Sequence, residues 1–295
     1  MIFADIMMPM LNLEQFKEQT GTELSMNGLE RIANPTLRGL ALAIVVGSLA
    51  AVGASSPTGA DANSAIEPPA DKLLKRMGDY LAQAQWFSVT AEVWQDIDLP
   101  RGQRVQAGSA LELQVRRPDH FHAEVRSTRR NRGLFYDGKS ITLLNRMQNL
   151  YGSIPAPASL DAALDEASSR FGLTMPLEDL VVSDPYRNAV RKIVSGIDVG
   201  PVTVLGVACE HLAFSLGTVD WQVWIEDGPR PVPRKIVFTY KDEQGAPEYT
   251  AMLSNWDFET KPPDFLFAFE PPVGATKIDV AQIKAETETH SKEAK

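Results

Sequence analysis

Residues 111–126 read LELQVRRPDHFHAEVR. Leu111, Leu113 and Val115 alternate with Glu112, Gln114 and Arg116. Beyond the proline, Phe121, Ala123 and Val125 alternate with His120, His122, Glu124 and Arg126. Successive side chains of a strand point to opposite faces, so each run has one apolar and one polar face. Two such runs on either side of a Pro-Asp dipeptide are half-buried antiparallel strands. Arg117 shares the parity of Leu111, Leu113 and Val115 and is therefore a charge on the apolar side.

The same period extends in both directions. Val89, Ala91 and Val93 alternate with Ser88, Thr90 and Glu92. FYDGKSITLL (135–144) carries Asp137-Gly138, a hairpin-turn signal between apolar runs, and another strand is expected near 149–153. Before all of these, PPADKLLKRMGDYLAQAQ (68–85) spaces Leu73, Leu74, Met77, Tyr80 and Leu81 at helical intervals behind two prolines. The alternation stops at Ser159, which can cap a helix with Leu160, Ala163, Leu164, Ala167 and Phe171 on one side. PLEDLVV (176–182) reads as a second short helix, and a turn or helix follows Asp184-Pro185 as far as Lys192. Strands return from Ser195, with VTVLGVACEHLAFSL (202–216), TVDWQVWIE (218–226), PRKIVFTYKD (233–242) and PEYTAMLSNWDF (247–258). The order is one helix, about five strands, two or three helices and about six strands. Nothing alternates as βαβ, and a large twisted antiparallel sheet must curl or close. The central helices are placed to cover its concave face.

Composition narrows the function. The 295 residues carry a net charge of −9 and a pI near 5.1, which works against binding a phosphate backbone, so no nucleic-acid partner is expected. Cys209 is the only cysteine and can form neither an intramolecular disulfide nor a cysteine metal cluster. GLALAIVVGSLAAVGA (39–54) is apolar and uncharged, follows Arg31 and Arg38, and precedes the small-residue site Ala60-Asp61-Ala62. That pattern describes a secretory signal peptide cleaved near 54–62, with an uncleaved membrane anchor as the alternative, and the run is shorter than the roughly 20 residues of a spanning helix. Residues 1–62 are thus read as an N-terminal extension and signal peptide, and 281–295 as a polar tail. Residues 1–25 are acidic where a leader should be basic, so translation starting at Met26 is the simpler reading.

Three stretches carry a family resemblance. VRRPDHF (115–121), FYDGKSITLLN (135–145) and FLFAFEPPVGATKID (265–279) resemble, in order, the arginine-proline strand, the Asp-Gly-Lys hairpin and the terminal F-x-F-x-P-P-x-G strand and turn of the LolA/LolB-like outer-membrane lipoprotein carriers. Within that superfamily the chain resembles a branch of predicted periplasmic proteins of the DUF2092 type. The resemblance implies an α+β fold over residues 63–280: an unclosed, strongly curved antiparallel β-barrel of about 10–11 strands under an α-helical lid, with the helical insert at 159–192. It further implies a periplasmic protein, soluble after leader cleavage, that binds a lipid or lipoprotein acyl chain. Binding or sensing of other envelope proteins is the alternative.

The candidate residues follow. Val93, Leu113, Phe121, Trp221, Val223 and Phe238 are assigned to the cavity lining. Leu160, Leu164, Phe171, Leu177 and Leu180 form the apolar face of the lid. In the carriers the arginine of the arginine-proline motif holds the lid shut, which makes Arg117 the latch. His120 and His122 lie on the polar face, opposite Phe121, and read as solvated rather than as metal ligands. Cys209 and His211 share a strand face but have no nucleophile signature around them, and Asp220, Glu226 and Asp227 border a turn. No catalytic residue, metal or cofactor is assigned, and the protein is read as not an enzyme. Trp224 and Trp256 cannot be given a side, because apolar residues occupy both parities around them.

Overall fold

A computed structural model describes residues 65–279, apart from Pro100, Arg129, Thr174, Pro176 and the side chain of Phe171. The leader, the alternative start at Met26 and the tail 281–295 lie outside the described residues.

The chain opens with helix α1 (Pro68–Gln83) and then lays down β1 (Trp86–Asp98), β2 (Arg104–Arg116), β3 (His120–Arg126), β4 (Asn131–Tyr136), β5 (Ser140–Asn145) and β6 (Leu150–Pro155). The insert follows, with α2 (Leu160–Phe171), a single 3-10 turn (Glu178–Leu180) and α3 (Pro185–Val190). Five more strands come next: β7 (Ser195–Val204), β8 (Val207–Ser215), β9 (Val219–Glu226), β10 (Pro233–Tyr240) and β11 (Glu248–Asp257). A 3-10 turn (Asp264–Leu266) and the two-residue β12 (Thr276–Lys277) end the described chain. All the strands form one sheet in the order β12-β6-β5-β4-β3-β2-β1-β11-β10-β9-β8-β7. Neighbours are antiparallel except β12 on β6, and the sheet does not close, since β12 and β7 are its two edges.

Sequence and structure agree strand by strand, with three differences. The run 202–216 is two strands, because Leu205 and Gly206 both take positive φ and form the two-residue turn of a hairpin. The second expected helix shrinks to Glu178–Leu180, preceded by Leu177 in the left-handed region, where a helix cannot propagate. The C-terminal phenylalanine motif does not form a strand: of residues 258–279 only Thr276–Lys277 pairs with the sheet.

The core lies on the concave face. Phe87, Val89, Ala91, Val93, Leu111, Leu113, Val115, Phe121 and Ala123 are buried there, as the alternation requires. Leu212, Phe214, Trp221, Val223, Ile236, Ala251 and Leu253 continue the layer across the second half of the sheet. Two groups cover it. One is α1, which buries Ala70, Leu74, Met77 and Leu81 along one stripe. The other is the insert, which buries Leu160, Ala163, Leu164, Ala167, Met175, Leu180 and Val181. Helix α2 starts at Ser159, whose hydroxyl accepts from the Ala162 amide, and stops at Gly172 with φ +62. Helix α3 is capped by Asp184 and packs on α1 rather than on the sheet: the Tyr186 hydroxyl donates to Asp71 Oδ1 at 2.7 Å.

That helix pair meets at Gly78, where an added Cβ would lie 2.6 Å from Tyr186 Cβ and 2.7 Å from its backbone nitrogen. Replacing a mid-helix glycine by alanine ordinarily gains roughly 0.5–1 kcal/mol, while forcing an atom against rigid neighbours costs about 1–3 kcal/mol. Here the clash is with backbone, so it wins. Gly78→Ala should lower stability by about 1–2 kcal/mol in urea unfolding. A stability gain would show that α3 yields freely and is not packed as described.

Candidate functional site

The six residues assigned to the cavity lining all fall on the concave face and in one apolar cluster with the helices. Leu113, Phe121 and Val223 are fully buried, Val93 and Trp221 nearly so, and Phe238 is half-buried. The second half of the sheet adds a feature that alternation alone does not reveal. Phe214, Trp221, Phe238 and Tyr249 stand opposite one another on β8, β9, β10 and β11. Their rings follow at centroid spacings of 5.0, 6.3 and 6.2 Å, an aromatic row across four strands. Gly196 on β7 leaves the space that the Phe214 ring takes, since a Cβ there would clash with it. Two polar atoms of the row, Trp221 Nε1 and Tyr249 Oη, are buried with no hydrogen-bond partner among the described residues.

The insert is tied to the sheet at one end. The Arg117 Nη1 donates to the Val181 carbonyl at 2.6 Å. The Leu160 amide donates to the Pro118 carbonyl at 2.9 Å, and the Tyr136 hydroxyl donates to the Pro157 carbonyl. All three anchors gather where β2 turns into β3 and β6 enters the insert. Asp161 binds the Ser183 amide at 2.7 Å and its hydroxyl at 2.5 Å, closing the insert on itself. Burial lowers the Arg117 pKa and the Asp161 carboxylate raises it again. The Arg117 Nε and Nη2 have no partner among the described residues. Of the assigned lid face, Leu160, Leu164 and Leu180 are buried and Leu177 is half-buried against the core; the Phe171 side chain is outside the described set.

Glu178 sits in the same insert. Burial, with the Asp179 carboxylate next, pushes its pKa up to about 7, against the pull of Lys192 and of a hydrogen bond from the Met175 backbone; Asp165 pushes it further up. Asp179 itself is held by Lys192 at 2.9 Å and by Asn188 at 2.7 Å.

The convex face corrects one expectation. His120 and His122 do point away from Phe121, but His122 is not solvated: it is 9 % exposed. Its Nε2 lies 3.0 Å from Glu124 Oε1, its ring stacks on Phe135 at 4.5 Å, and Arg146 pairs with the same carboxylate. The hydrogen bonds from His122 and Arg146 outweigh burial and keep the Glu124 pKa low. Residues 262–278 cross this face as a strap. Phe267 packs on His120 and under the Arg116 guanidinium, Asp264 pairs with Arg116, and Phe269 packs on Phe135 and Tyr151. Cys209 is buried in a second, smaller convex cluster with Val204, Trp224 and Val237, and burial raises its thiol pKa. His211 stacks on Trp224 at 4.1 Å and meets Gln222 at 3.0 Å. Trp224 is thus convex, whereas Trp256 packs on Phe87 and Phe258 at the core. A depression of about 450 Å³ on the convex side is lined by Ser88, Thr90, Glu112, Gln114, Asn255 and Asp257 together with Val89 and Trp256, a mixed polar and apolar lining. Among the described residues, no group of three or more His, Cys, Asp or Glu is placed to hold a metal ion, and no helix is long and apolar enough to cross a membrane.

A family model described as predicted periplasmic protein (DUF2092) matches residues 70–281, the stretch that contains the sheet, the insert and the strap. The chain belongs to this family. A comparison with curated protein sequences gave no significant match. Some solved structures are similar at low identity. The Mycobacterium tuberculosis lipoprotein LppX is 11% identical at a TM-score of 0.42, over 66% of this chain and 98% of that one. A LolA superfamily protein from Nitrosomonas europaea is 11% identical at a TM-score of 0.35, over 68% and 97%. MucB, solved in complex with MucA(peri), is 15% identical at a TM-score of 0.37, over 68% and 60%. The stretch matched by the family model is thus an unclosed antiparallel sheet with helices across its concave side.

Two outcomes follow for this family member. Arg117→Leu removes a charge-assisted hydrogen bond, so stability should fall by roughly 1–3 kcal/mol, with amide exchange accelerating at 159–183 more than at 109–126. Uniform acceleration would place Arg117 in the global fold rather than in holding the insert. For Glu178 the folded state keeps a proton that the unfolded chain releases near 4.5. Its stabilising contribution is therefore complete below about 4.5 and is lost as the pH rises through about 7. Glu178→Gln should flatten the decline of the melting temperature between pH 5 and pH 8; an unchanged pH profile would mean that the carboxylate is not buried in solution.

Proposed function

We propose that the protein is an exported, non-enzymatic binder of an apolar ligand, a lipid or a lipoprotein acyl chain. The ligand is held non-covalently between the concave face and the insert, and the protein works in the periplasm once the leader has been removed. The observation that carries this reading is the contact between two apolar surfaces that do not belong to one rigid element. The concave layer that includes Leu113, Phe121 and Val223 meets the insert face of Leu160, Leu164 and Leu180, and the polar anchors between them gather at one end. Apolar contact is non-directional, so an alkyl chain can replace the insert's side chains against the sheet without leaving a hydrogen bond unmade. Arg117 is the latch in this reading, and the insert swings about the turns at 155–159 and 182–184. The six concave residues and the five leucine and phenylalanine positions of the insert form the ligand surface.

A second reading, an envelope protein-interaction module with no transported ligand, draws on another observation. Ile197, Val199, Val202 and Leu205 are exposed on the edge strand β7 and its turn, and an apolar strip at a sheet edge suits a protein partner.

Native mass spectrometry of the protein purified from a periplasm separates the two. Bound lipid is expected, together with one-to-one binding of the neutral probe N-phenyl-1-naphthylamine that is displaced by a fatty acid. Leu164→Asp should abolish probe binding while leaving the β-sheet circular-dichroism signal in place. A stoichiometric protein partner with no lipid and no probe binding would favour the second reading and end the first.

A further inference from the structure

The apolar layer of the concave face holds two hydrogen-bond donors that the protein does not use. Trp221 is 8 % exposed and Tyr249 is 4 % exposed, and both belong to the core cluster. Trp221 Nε1 and Tyr249 Oη are buried with no hydrogen-bond partner among the described residues. Ring contacts fix where both side chains lie. The Trp221 ring stacks on Phe214 and Phe238, and the Tyr249 ring packs on Phe238 in turn. Burial, with Tyr240 next, pushes the Tyr249 pKa up, so the hydroxyl keeps its proton and can donate. Buried polar groups ordinarily have a partner, and one left without is costly. An indole N–H can only donate. What the pair lacks is therefore an acceptor.

The surroundings decide which acceptor fits. The neighbours two residues away on the same face are Val219 and Val223 on β9, Ile236 and Tyr240 on β10, and Ala251 on β11, all buried in the same cluster. A carboxylate or phosphate placed there would lose its hydration with no cation among these neighbours. An alkane offers no acceptor. A carbonyl oxygen is a neutral acceptor, and an ester joins one to an alkyl chain. Phe238, the ring between the two donors, is only half-buried, so the cover over the row is incomplete between them.

We infer that the ligand is an acyl ester, with alkyl chains along the concave apolar face and ester carbonyls that accept from Trp221 Nε1 and Tyr249 Oη. This rests on the apolar-ligand reading above and narrows it, since a hydrocarbon or an ether lipid lacks the group these donors take.

The test uses the full chain, with N-phenyl-1-naphthylamine as the neutral probe. The competitors are monomeric diheptanoylphosphatidylcholine and its di-O-heptyl ether analogue, which differ only in the two carbonyls. Apolar burial by itself favours the ether, whose linkages are less polar. The ester should instead displace the probe from wild type at a concentration roughly tenfold lower. Tyr249→Phe and Trp221→Phe should each reduce that ratio by about threefold or more, and together abolish it. Tyr249→Phe should also raise the urea midpoint, because it removes an unfilled buried hydroxyl. Tyr136→Phe removes a hydroxyl already bonded to the Pro157 carbonyl, so it should lower the midpoint and leave the ratio as in wild type. A midpoint lowered by Tyr249→Phe would mean that its hydroxyl is bonded in the free protein, and the ester assignment is then overturned. It is overturned too if the variants keep the wild-type ratio, or if wild type shows no preference for the ester while still binding the probe; the apolar-ligand reading then stands. If the probe does not bind wild type, both readings fall.

Discussion

A sheet with one apolar face cannot leave that face to water, and the fold described here follows from that constraint. At roughly 25 cal/mol per Å², each concave side chain of the Phe87 or Phe121 kind contributes more on burial than a surface ion pair does. Curling brings the concave residues toward one another, but the sheet remains open between β12 and β7. Something else must cover the face, and two elements share the task in different ways. Helix α1 is continuous with β1 and is clamped at both ends: the Glu67 amide donates to the Gly196 carbonyl at 2.9 Å on one side, and the Arg117 amide to the Gln85 carbonyl at 2.8 Å on the other. The insert is clamped mainly where it leaves and rejoins the anchor end, around Pro118, Pro157 and Arg117. The same apolar driving force acts on both covers, and the insert too has a backbone tie on each side, from the Leu160 amide to the Pro118 carbonyl at 2.9 Å and from the Val194 amide to the Ser215 carbonyl at 2.7 Å.

Much of this was legible in the sequence because a period of two is imposed by backbone geometry and survives any context. The alternation at 88–93 and 111–126 placed Val93, Leu113 and Phe121 on the core face, and Asp137-Gly138 placed a turn where Gly138 takes φ +82. Arg117 stood out for the same reason, as a charge at an apolar parity. The failures share a cause: each depends on a contact between residues far apart in the chain. His122 and Glu124 alternate as surface residues do, and nothing local says that Phe267 and Phe269, some 145 residues later, cross the same face. A signal was present in the F-x-F spacing at 267–269, but alternation reads equally as a strand, and the segment gives up that option for a strap with Pro262, Pro263, Pro271 and Pro272 within it. Trp256 lies beyond a local irregularity in which Ser88 pairs with Asp257 but Thr90 pairs with Ser254, and Asn255 takes φ +53. One extra residue resets the parity, which is why both faces looked apolar there.

The aromatic row is an intermediate case. Each of Phe214, Trp221, Phe238 and Tyr249 was readable as a strand aromatic, but their alignment depends on the registers of three hairpins at once. A slip of one residue in any of them would move its aromatic to the convex face. Gly196 fixes the outermost step, because only a residue without a side chain lets the Phe214 ring lie over β7. Across the sheet the concave face therefore has two textures: aliphatic with Phe121 and Tyr136 under the insert, and flat and aromatic across β8–β11.

That division bears on why the polar groups sit where they do. At the anchored end the Val181, Pro118 and Pro157 carbonyls accept from Arg117, Leu160 and Tyr136, while the Arg117 Nε and Nη2 have no partner among the described residues. At the opposite end the concave side chains carry Trp221 Nε1 and Tyr249 Oη. A sealed hydrophobic core gains nothing from the Trp221 and Tyr249 groups: an unpartnered buried donor costs about 1–3 kcal/mol, and a phenylalanine would fill the Tyr249 site without that cost. A tyrosine in place of phenylalanine therefore leaves the aromatic row less stable than an all-apolar layer of the same shape would be.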